Sequence, residues 1–180
     1  MLGDGGEDEE LTTSRLGTKE YWTEHYKLEL KNFEEFGDGG EIWFGRAVEN
    51  RIVKYITEKL QLSKLSRIID FGCGNGSLLR ALRRKGYVSL FGVDFFEEAV
   101  LLARKLTEDS NCCNIKFMRG DLLDEALDLS SFDIIIDKGT WDALSLSLDR
   151  DARLKKYRRN VCETLDHCGL FLVCSCNYTG

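Results

Sequence analysis

The chain of 180 residues has no proline, only two histidines and no long apolar run. No window reaches the roughly 18 apolar residues that a membrane-spanning helix needs. No positively charged start leads into an apolar stretch, so we expect neither a membrane anchor nor a secretory signal. His25 and His167 lie far from any paired cysteines, which argues against the common zinc spacings.

The chain also has no excess of positive charge, since its 25 basic and 31 acidic residues give a net charge of −6. An acidic protein repels nucleic acid unless a basic face is segregated, so we expect no nucleic-acid partner. Five acidic residues and no basic residue lie in the first ten positions, so residues 1–15 are predicted to form a disordered acidic tail. The remaining domain is close to neutral, which is compatible with a basic protein partner.

The seven cysteines follow no metal-binding spacing. Cys112 and Cys113 are adjacent, and Cys174 and Cys176 flank one serine. We therefore expect free, mostly buried thiols in a cytoplasmic protein, or one that also enters the nucleus. The length of the chain fits one domain, which spans residues 16–180 after the tail.

The pattern predicts two helices before residue 61. Thr18 can cap a helix over 19–36, and the glycine-rich stretch 37–41 ends it. Apolar residues at four-residue steps predict a second helix over 46–60. Together these form a helical lid of about residues 18–60. The residues at helical spacing in the first helix are Tyr21, Trp22, His25, Tyr26 and Glu29.

From about residue 66 to the end, short apolar strands alternate with helices. This alternation predicts an α/β fold with a doubly wound, mostly parallel sheet of about five strands. A ligand crevice is expected at the carboxyl ends of the strands, where the strand order reverses.

A glycine-rich loop follows the first strand, in the stretch IIDFGCGNGS at 68–77. Its third glycine comes one position earlier than in the dinucleotide-binding fingerprint. Asp70 stands directly before the loop and would repel a pyrophosphate by about 4 kcal/mol at 4 Å and an effective dielectric of about 20. The loop therefore favours a cationic ligand without phosphate, such as S-adenosylmethionine with its ammonium and sulfonium groups.

Two further carboxylates end the next two strands. Asp94 is placed to accept both ribose hydroxyls of an adenosyl group, or else to cap the following helix. Asp121 can accept the adenine amino group, with Phe95 or Met118 against the ring, or it can cap a helix. The predicted cofactor contacts are Asp70, Gly72, Cys73, Gly74, Asn75, Gly76, Asp94, Phe95, Asp121 and Leu122.

Asp137 ends the fourth strand, which we expect at the centre of the sheet beside the transferable methyl group. Methyl transfer requires the nucleophile and the methyl carbon to lie in line, about 3–3.5 Å apart. If the acceptor is a lysine amine, Asp137 can orient its hydrogens after proton loss, and is the predicted catalytic residue. Trp43, Phe44, Lys138 and Trp141 are predicted to line the substrate channel. The alternatives are ordinary core or lid aromatics and, for Lys138, an ion pair.

The segments that carry these residues resemble those of a known family. The loop IIDFGCGNGSLL, LFGVDF and RGDLLD resemble the cofactor motifs of class I S-adenosylmethionine-dependent methyltransferases. More narrowly, the stretches over 16–45 and 132–146, which contain GEIWFG and DKGTWDA, resemble the eukaryotic lysine methyltransferases that modify translation elongation factor 1-alpha. The resemblance covers about residues 16 to 180.

That resemblance implies a Rossmann-like fold, S-adenosylmethionine as the methyl donor with S-adenosylhomocysteine as product, and a lysine of elongation factor 1-alpha as the acceptor. It also implies a further helix and two strands beyond residue 180, so we expect the usual last two strands to be missing and an exposed sheet edge near Cys176. Arg46 stands where the resemblance implies an acidic residue.

Other functions remain open at this point. The chain can be a truncated, non-catalytic form that binds cofactor or a partner, or a methyltransferase acting on a small amine or carboxylate. A nucleic-acid aminopurine acceptor is disfavoured, because the Asn/Asp-Pro-Pro-aromatic tetrapeptide is absent and DKGT stands in its place. An NAD-dependent dehydrogenase is a more distant alternative, and no motif predicts the oligomeric state.

Overall fold

The structure is a computed structural model that describes residues 14–112, 114–129 and 131–177. The predicted acidic tail therefore lies almost wholly outside the described residues. Five strands form one parallel sheet in the order β3-β2-β1-β4-β5. The strands are β1 Arg67–Phe71, β2 Ser89–Asp94, β3 Ile115–Arg119, β4 Phe132–Lys138 and β5 Leu165–Cys174.

Helices alternate with these strands, as the sequence predicted. They are α1 Lys19–Phe36, α2 Gly45–Lys54, α3 Ser77–Arg84, α4 Glu97–Asp109, α5 Thr140–Ser145 and α6 Arg150–Thr164. The predicted bounds of α1 are confirmed. Its first turn is capped by Thr18, whose Oγ1 accepts a hydrogen bond from the Tyr21 amide at 3.4 Å, and Gly37 ends it at a φ of 70°.

The second predicted helix is not uniform. α2 ends at Lys54 and continues as a π-helical turn over Tyr55–Lys59. The Leu60 amide donates to the Tyr55 carbonyl at 3.1 Å, five residues back. Apolar residues at four-residue steps are equally compatible with an α-helix and with one wider turn, so the pattern could not separate them.

The sheet has an apolar cluster on each face. Ile68, Ile134 and Ile136 lie in one cluster with residues of α2, α3 and α4, and all three are fully buried. Ile69 and Ile135 lie in the other with residues of α6. Apolar residues on both faces of one strand are typical of a parallel strand covered by helices on both sides.

The strand order corrects one prediction. The central strand is β1, and β4 lies beside it, one position from the edge strand β5. The order reverses between β1 and β4, so the crevice predicted for this fold lies between their carboxyl ends. β4 still contributes its last residues to that crevice.

One alternative and one prediction were also wrong. The alternative role of Asp121 as a helix cap does not apply, because no helix follows it and its Oδ1 accepts the Leu123 amide at 2.9 Å within a turn. Of the six described free cysteines, Cys162, Cys168 and Cys176 are exposed, so the thiols are not mostly buried. The sequence analysis also missed α5, which is only six residues long. None of the described helices is both long and apolar enough to cross a membrane.

Candidate functional site

A cleft with about 1120 Å³ of empty space, part of it open to solvent, lies over the carboxyl ends of the central strands. Its floor comes from the loops after β1, β2, β3 and β4, and α1 forms the opposite wall. The predicted site residues along it are Trp43, Gly72, Cys73, Gly74, Asn75, Asp94, Phe95, Asp121, Leu122 and Lys138.

The glycine loop is bound to the neighbouring strand through its backbone. The amides of Gly72 and Cys73 both donate to the Val93 carbonyl, at 2.8 and 3.0 Å. Gly74 has a φ of 52°, and a Cβ there would lie 3.1 Å from the hydroxyl oxygen of Tyr26. The missing side chain therefore lets the loop approach α1 closely.

Asp94 fastens this loop to the start of α4. Its Oδ2 accepts the Gly74 amide at 2.9 Å, and its Oδ1 accepts the Phe96 amide at 3.1 Å. The side chain is buried, and burial raises its pKa to about 6 although these backbone hydrogen bonds oppose the shift. Each oxygen retains a lone pair for a further donor, so Asp94 can accept ribose hydroxyls as predicted.

Asp70 lies beneath the loop rather than along the wall of the cleft. It is only 2% exposed, and its Oδ1 has no hydrogen-bond partner among the described residues. Burial raises the pKa of Asp70 to about 7, opposed chiefly by the charge of Lys138. A buried acceptor without a donor is costly unless a ligand or water supplies one. The structure therefore leaves an acceptor site at the position where the sequence predicted a cationic ligand.

The adenosyl end of the predicted ligand would meet Asp94, Phe95, Asp121 and Leu122, which lie together in the cleft. The amino group of Lys19 lies 3.9 Å from the centroid of the Phe95 ring, a cation–π contact that holds the ring at the entrance. This end of the cleft thus combines apolar side chains with carboxylates.

Asp137 is fully buried behind the wall of the cleft, which differs from the predicted contact with the acceptor amine. Its Oδ1 accepts the Thr140 amide at 2.8 Å, and its Oδ2 accepts the Trp141 amide at 2.9 Å and the Tyr157 hydroxyl at 2.5 Å. Burial raises the pKa of Asp137 to about 7 against these hydrogen bonds. In this arrangement Asp137 holds the start of α5 in place.

The four predicted substrate-lining residues separate into two pairs. Trp43 and Lys138 lie in the cleft, and the Lys138 amino group donates to the Trp43 carbonyl at 3.1 Å. Phe44 instead lines a separate groove beside β5, and Trp141 packs into the core on the α6 face. Among the predicted cofactor contacts, Gly76 is also outside the wall, because its φ of 74° turns the chain into α3.

The wall contributed by α1 was not predicted as part of the site. Trp22, His25 and Tyr26 all line the cleft, and the Trp22 ring meets Trp43 at a centroid distance of 5.2 Å. Their helical spacing was visible in the sequence. A helical pattern alone does not show what an aromatic face packs against, and here it packs against the open end of the sheet.

These residues fit an adenosyl cation better than a nucleotide with a diphosphate. Among the described residues, the Asp70 Oδ1 atom has no partner and Asp94 accepts hydrogen bonds from backbone amides, and both carboxylates lie at the glycine loop. Negative charge at this place repels phosphate. The described residues also hold no group of three or more potential metal ligands.

Comparison with known proteins agrees with this geometry. Residues 62–179 match the family described as a methyltransferase domain. The chain is 38% identical over 178 residues to EEF1A lysine methyltransferase 2 of Homo sapiens, covering 98% of this chain and 75% of that protein. It is 38% identical over 187 residues to protein-lysine N-methyltransferase efm4 of Schizosaccharomyces pombe, covering 94% and 79%.

Solved structures show the same fold. An S-adenosylmethionine-dependent methyltransferase of Methanococcus maripaludis matches 84% of this chain and 62% of its own, with a TM-score of 0.62 at 18% identity. A TehB-like methyltransferase of Corynebacterium glutamicum matches 84% and 71%, with a TM-score of 0.56 at 20% identity. Taken with the curated relatives, these similarities show that the chain belongs to the class I S-adenosylmethionine-dependent methyltransferases, in the family of the protein-lysine N-methyltransferases.

Proposed function

We propose that this chain binds S-adenosylmethionine in the cleft over β1, β2 and β4 and methylates a lysine side chain of translation elongation factor 1-alpha. One observation carries the substrate assignment: relatives named for lysine methylation of that factor are 36–38% identical to this chain over 95–98% of its length. The cofactor assignment is supported by the carboxylate oxygen of Asp70 that has no hydrogen-bond partner within the described parts of the chain.

The side chains at and beneath the adenosyl end of the cleft then bind the cofactor. Asp94 accepts the ribose hydroxyls, Asp121 accepts the adenine amino group, and Phe95 and Leu122 enclose the adenine ring. Asp70 faces the cationic end of the ligand. When bound, S-adenosylmethionine supplies a methyl group on a positively charged sulfur.

The aromatic wall favours the acceptor amine. Trp22 and Tyr26 line the cleft, so an entering lysine loses water and its pKa falls. A neutral amine has the lone pair that the transfer needs, and a methylated cation gains about 0.5–2 kcal/mol against such rings. Asp137, buried behind the wall, acts here by holding the turn before α5.

The experiment is methyl transfer from labelled S-adenosylmethionine to purified elongation factor 1-alpha, followed by mass spectrometry of its peptides. Label on one lysine supports the proposal, and the Asp94→Ala variant serves as the control with impaired cofactor binding. Label on small amines but not on the factor would make the chain a small-molecule methyltransferase. Cofactor binding without transfer to any acceptor would make it a non-catalytic binding form.

A further inference from the structure

The amino-acid end of the proposed cofactor carries a negative charge as well as a positive one, and the floor of the cleft is acidic. Asp94 lines this floor, Asp70 lies beneath its glycine loop, and both repel a carboxylate. A ligand with an α-carboxylate therefore needs a cation and hydrogen-bond donors near Asp70. The argument rests on the proposed function, since that function supplies the ligand.

Three pocket-lining side chains with a permanent positive charge lie in the described part of the cleft, and two of them are already engaged. Lys19 lies over the Phe95 ring, on the adenosyl side. Arg153 forms an ion pair with Asp149 at 2.6 Å. Lys138 donates to the carbonyl of Trp43. That acceptor is neutral, so this hydrogen bond does not neutralise the charge of Lys138.

Lys138 is also close to Asp70 in electrostatic terms. Of the charged groups that act on the pKa of Asp70, Lys138 has the largest effect. The strand register explains this, because Phe71 pairs with Asp137 and Lys138 is the next residue of β4. A positive and a negative group therefore lie near the ends of two adjacent strands, at the point where the strand order reverses.

A second donor lies beside Lys138. The indole Nε1 of Trp43 is buried and has no hydrogen-bond partner among the described residues, although this side chain lines the cleft. It lies against Gly139, where an added Cβ would be 2.7 Å from Nε1. The glycine therefore admits the indole next to Lys138. A buried N–H without an acceptor is costly, and a ligand oxygen would remove that cost.

We propose that the Lys138 ammonium and the Trp43 indole N–H together bind the α-carboxylate of S-adenosylmethionine, while the neighbouring Asp70 faces its ammonium. Lys138 and Trp43 are then cofactor-binding residues and not walls of the acceptor channel. Asp137 then supports cofactor binding indirectly, because its hydrogen bonds hold the turn that carries Lys138 and Gly139.

The test compares two ligands by isothermal titration calorimetry: S-adenosylmethionine and decarboxylated S-adenosylmethionine, which keeps the ammonium and the sulfonium but lacks the carboxylate. The wild-type chain is expected to bind the first more tightly. Lys138→Met should raise the Kd for S-adenosylmethionine about tenfold or more and leave the Kd for the decarboxylated ligand within about twofold. Trp43→Phe, which removes the N–H and keeps an aromatic ring, should act in the same direction but more weakly. Lys138→Arg should restore most of the loss.

Lys19→Met is the matched control, because it removes another pocket cation on the adenosyl side and should change both Kd values by the same factor. The proposal is overturned if the wild-type chain binds the two ligands equally well, a result that needs no variant to fold. It is also overturned if Lys138→Met weakens both ligands alike or neither. In those cases the wild-type chain still binds S-adenosylmethionine and still transfers methyl groups, so the proposed function stands. A wild-type chain that binds neither ligand overturns both proposals.

Discussion

At the scale of single residues, the cleft contains buried carboxylates whose ionised form is unfavourable without a ligand. Burial raises the pKa of Asp70 to about 7 and that of Asp94 to about 6. Both lie close to the glycine loop. Asp70 Oδ1 has no donor among the described residues, whereas Asp94 accepts the Gly74 amide and can accept a further donor from a ligand. Such residues reduce the stability of the free protein and favour the bound one.

We predict that Asp94→Ala raises the Kd for S-adenosylmethionine about tenfold or more, measured by calorimetry. The physical reason is the loss of hydrogen bonds to a charged acceptor, about 1.5–3 kcal/mol. Asp94 also binds the amides of Gly74 and Phe96, so the melting temperature should fall as well. Asp94→Asn, which keeps one oxygen acceptor, should give intermediate values. An unchanged Kd in the alanine variant would remove Asp94 from the site.

The raised pKa of Asp70 predicts that the stability of the folded chain depends on pH. Its folded-state pKa of about 7 lies above the ordinary value of 3.8. Between these pH values the folded state holds more protons than the unfolded state, so this group's stabilising contribution is lost as the pH rises. Asp94 and Asp137 act in the same direction.

Asp70→Asn should therefore raise the melting temperature of the ligand-free chain at pH 8 and reduce its decline between pH 5 and pH 8. The same variant should weaken binding of S-adenosylmethionine. Asp109→Asn, the same substitution at an exposed residue, is the control. A lower melting temperature of Asp70→Asn at pH 8 would show instead that the ionised carboxylate is stabilised in the folded chain.

At the scale of secondary-structure elements, α5 and α6 hold the end of β4 at the cleft. Tyr157 of α6 is fully buried and donates to Asp137, which in turn accepts the first amides of α5. The rings of Tyr157 and Phe71 meet edge to face at 6.0 Å, so β1 is part of the same contact. The turn that carries Lys138 is therefore positioned by packing from three elements.

Tyr157→Phe tests this arrangement with almost no change in volume. It should lower the free energy of unfolding by about 1.5–3 kcal/mol, since a hydrogen bond to a carboxylate is lost. The Tyr157 hydroxyl lowers the pKa of Asp137, so the pKa of Asp137 should rise in the variant. We expect kcat to fall and its acidic limb to move to higher pH. A loss of stability with an unchanged kcat profile would limit Tyr157 to a structural role.

At the scale of the whole molecule, the two edges of the described sheet differ in character. β3 carries Lys116 and Arg119, charges that discourage pairing with another strand. β5 pairs with β4 on one side, and its second half is Gly-Leu-Phe-Leu-Val-Cys, without charge. Leu170 in that strand is 44% exposed.

We predict concentration-dependent association through β5, measured by light scattering after size-exclusion chromatography. Leu170→Lys places a charge on this strand and should reduce the association. Leu148→Lys is the control, because Leu148 is 81% exposed but lies in a turn outside the sheet. A chain that stays monomeric at all concentrations, or equal effects of the two variants, would contradict the prediction.

The alternation of strands and helices, the glycine loop and the carboxylates at the strand ends could all be predicted from the amino-acid sequence. Local periodicity and turn residues carry this information, and α1 formed over the predicted residues 19–36. The approach of Asp70 to the loop followed from adjacency along the chain.

Which side chains reach the cleft depends on tertiary packing. Asp137 and Lys138 are neighbours in β4 and Trp141 lies in α5, yet packing against α6 buries Asp137 and covers part of Trp141, while Lys138 stays at the wall. Trp22 and Tyr26 join the site because α1 crosses the open end of the sheet, far away in sequence. Burial and strand order depend on long-range packing, and no local pattern encodes them.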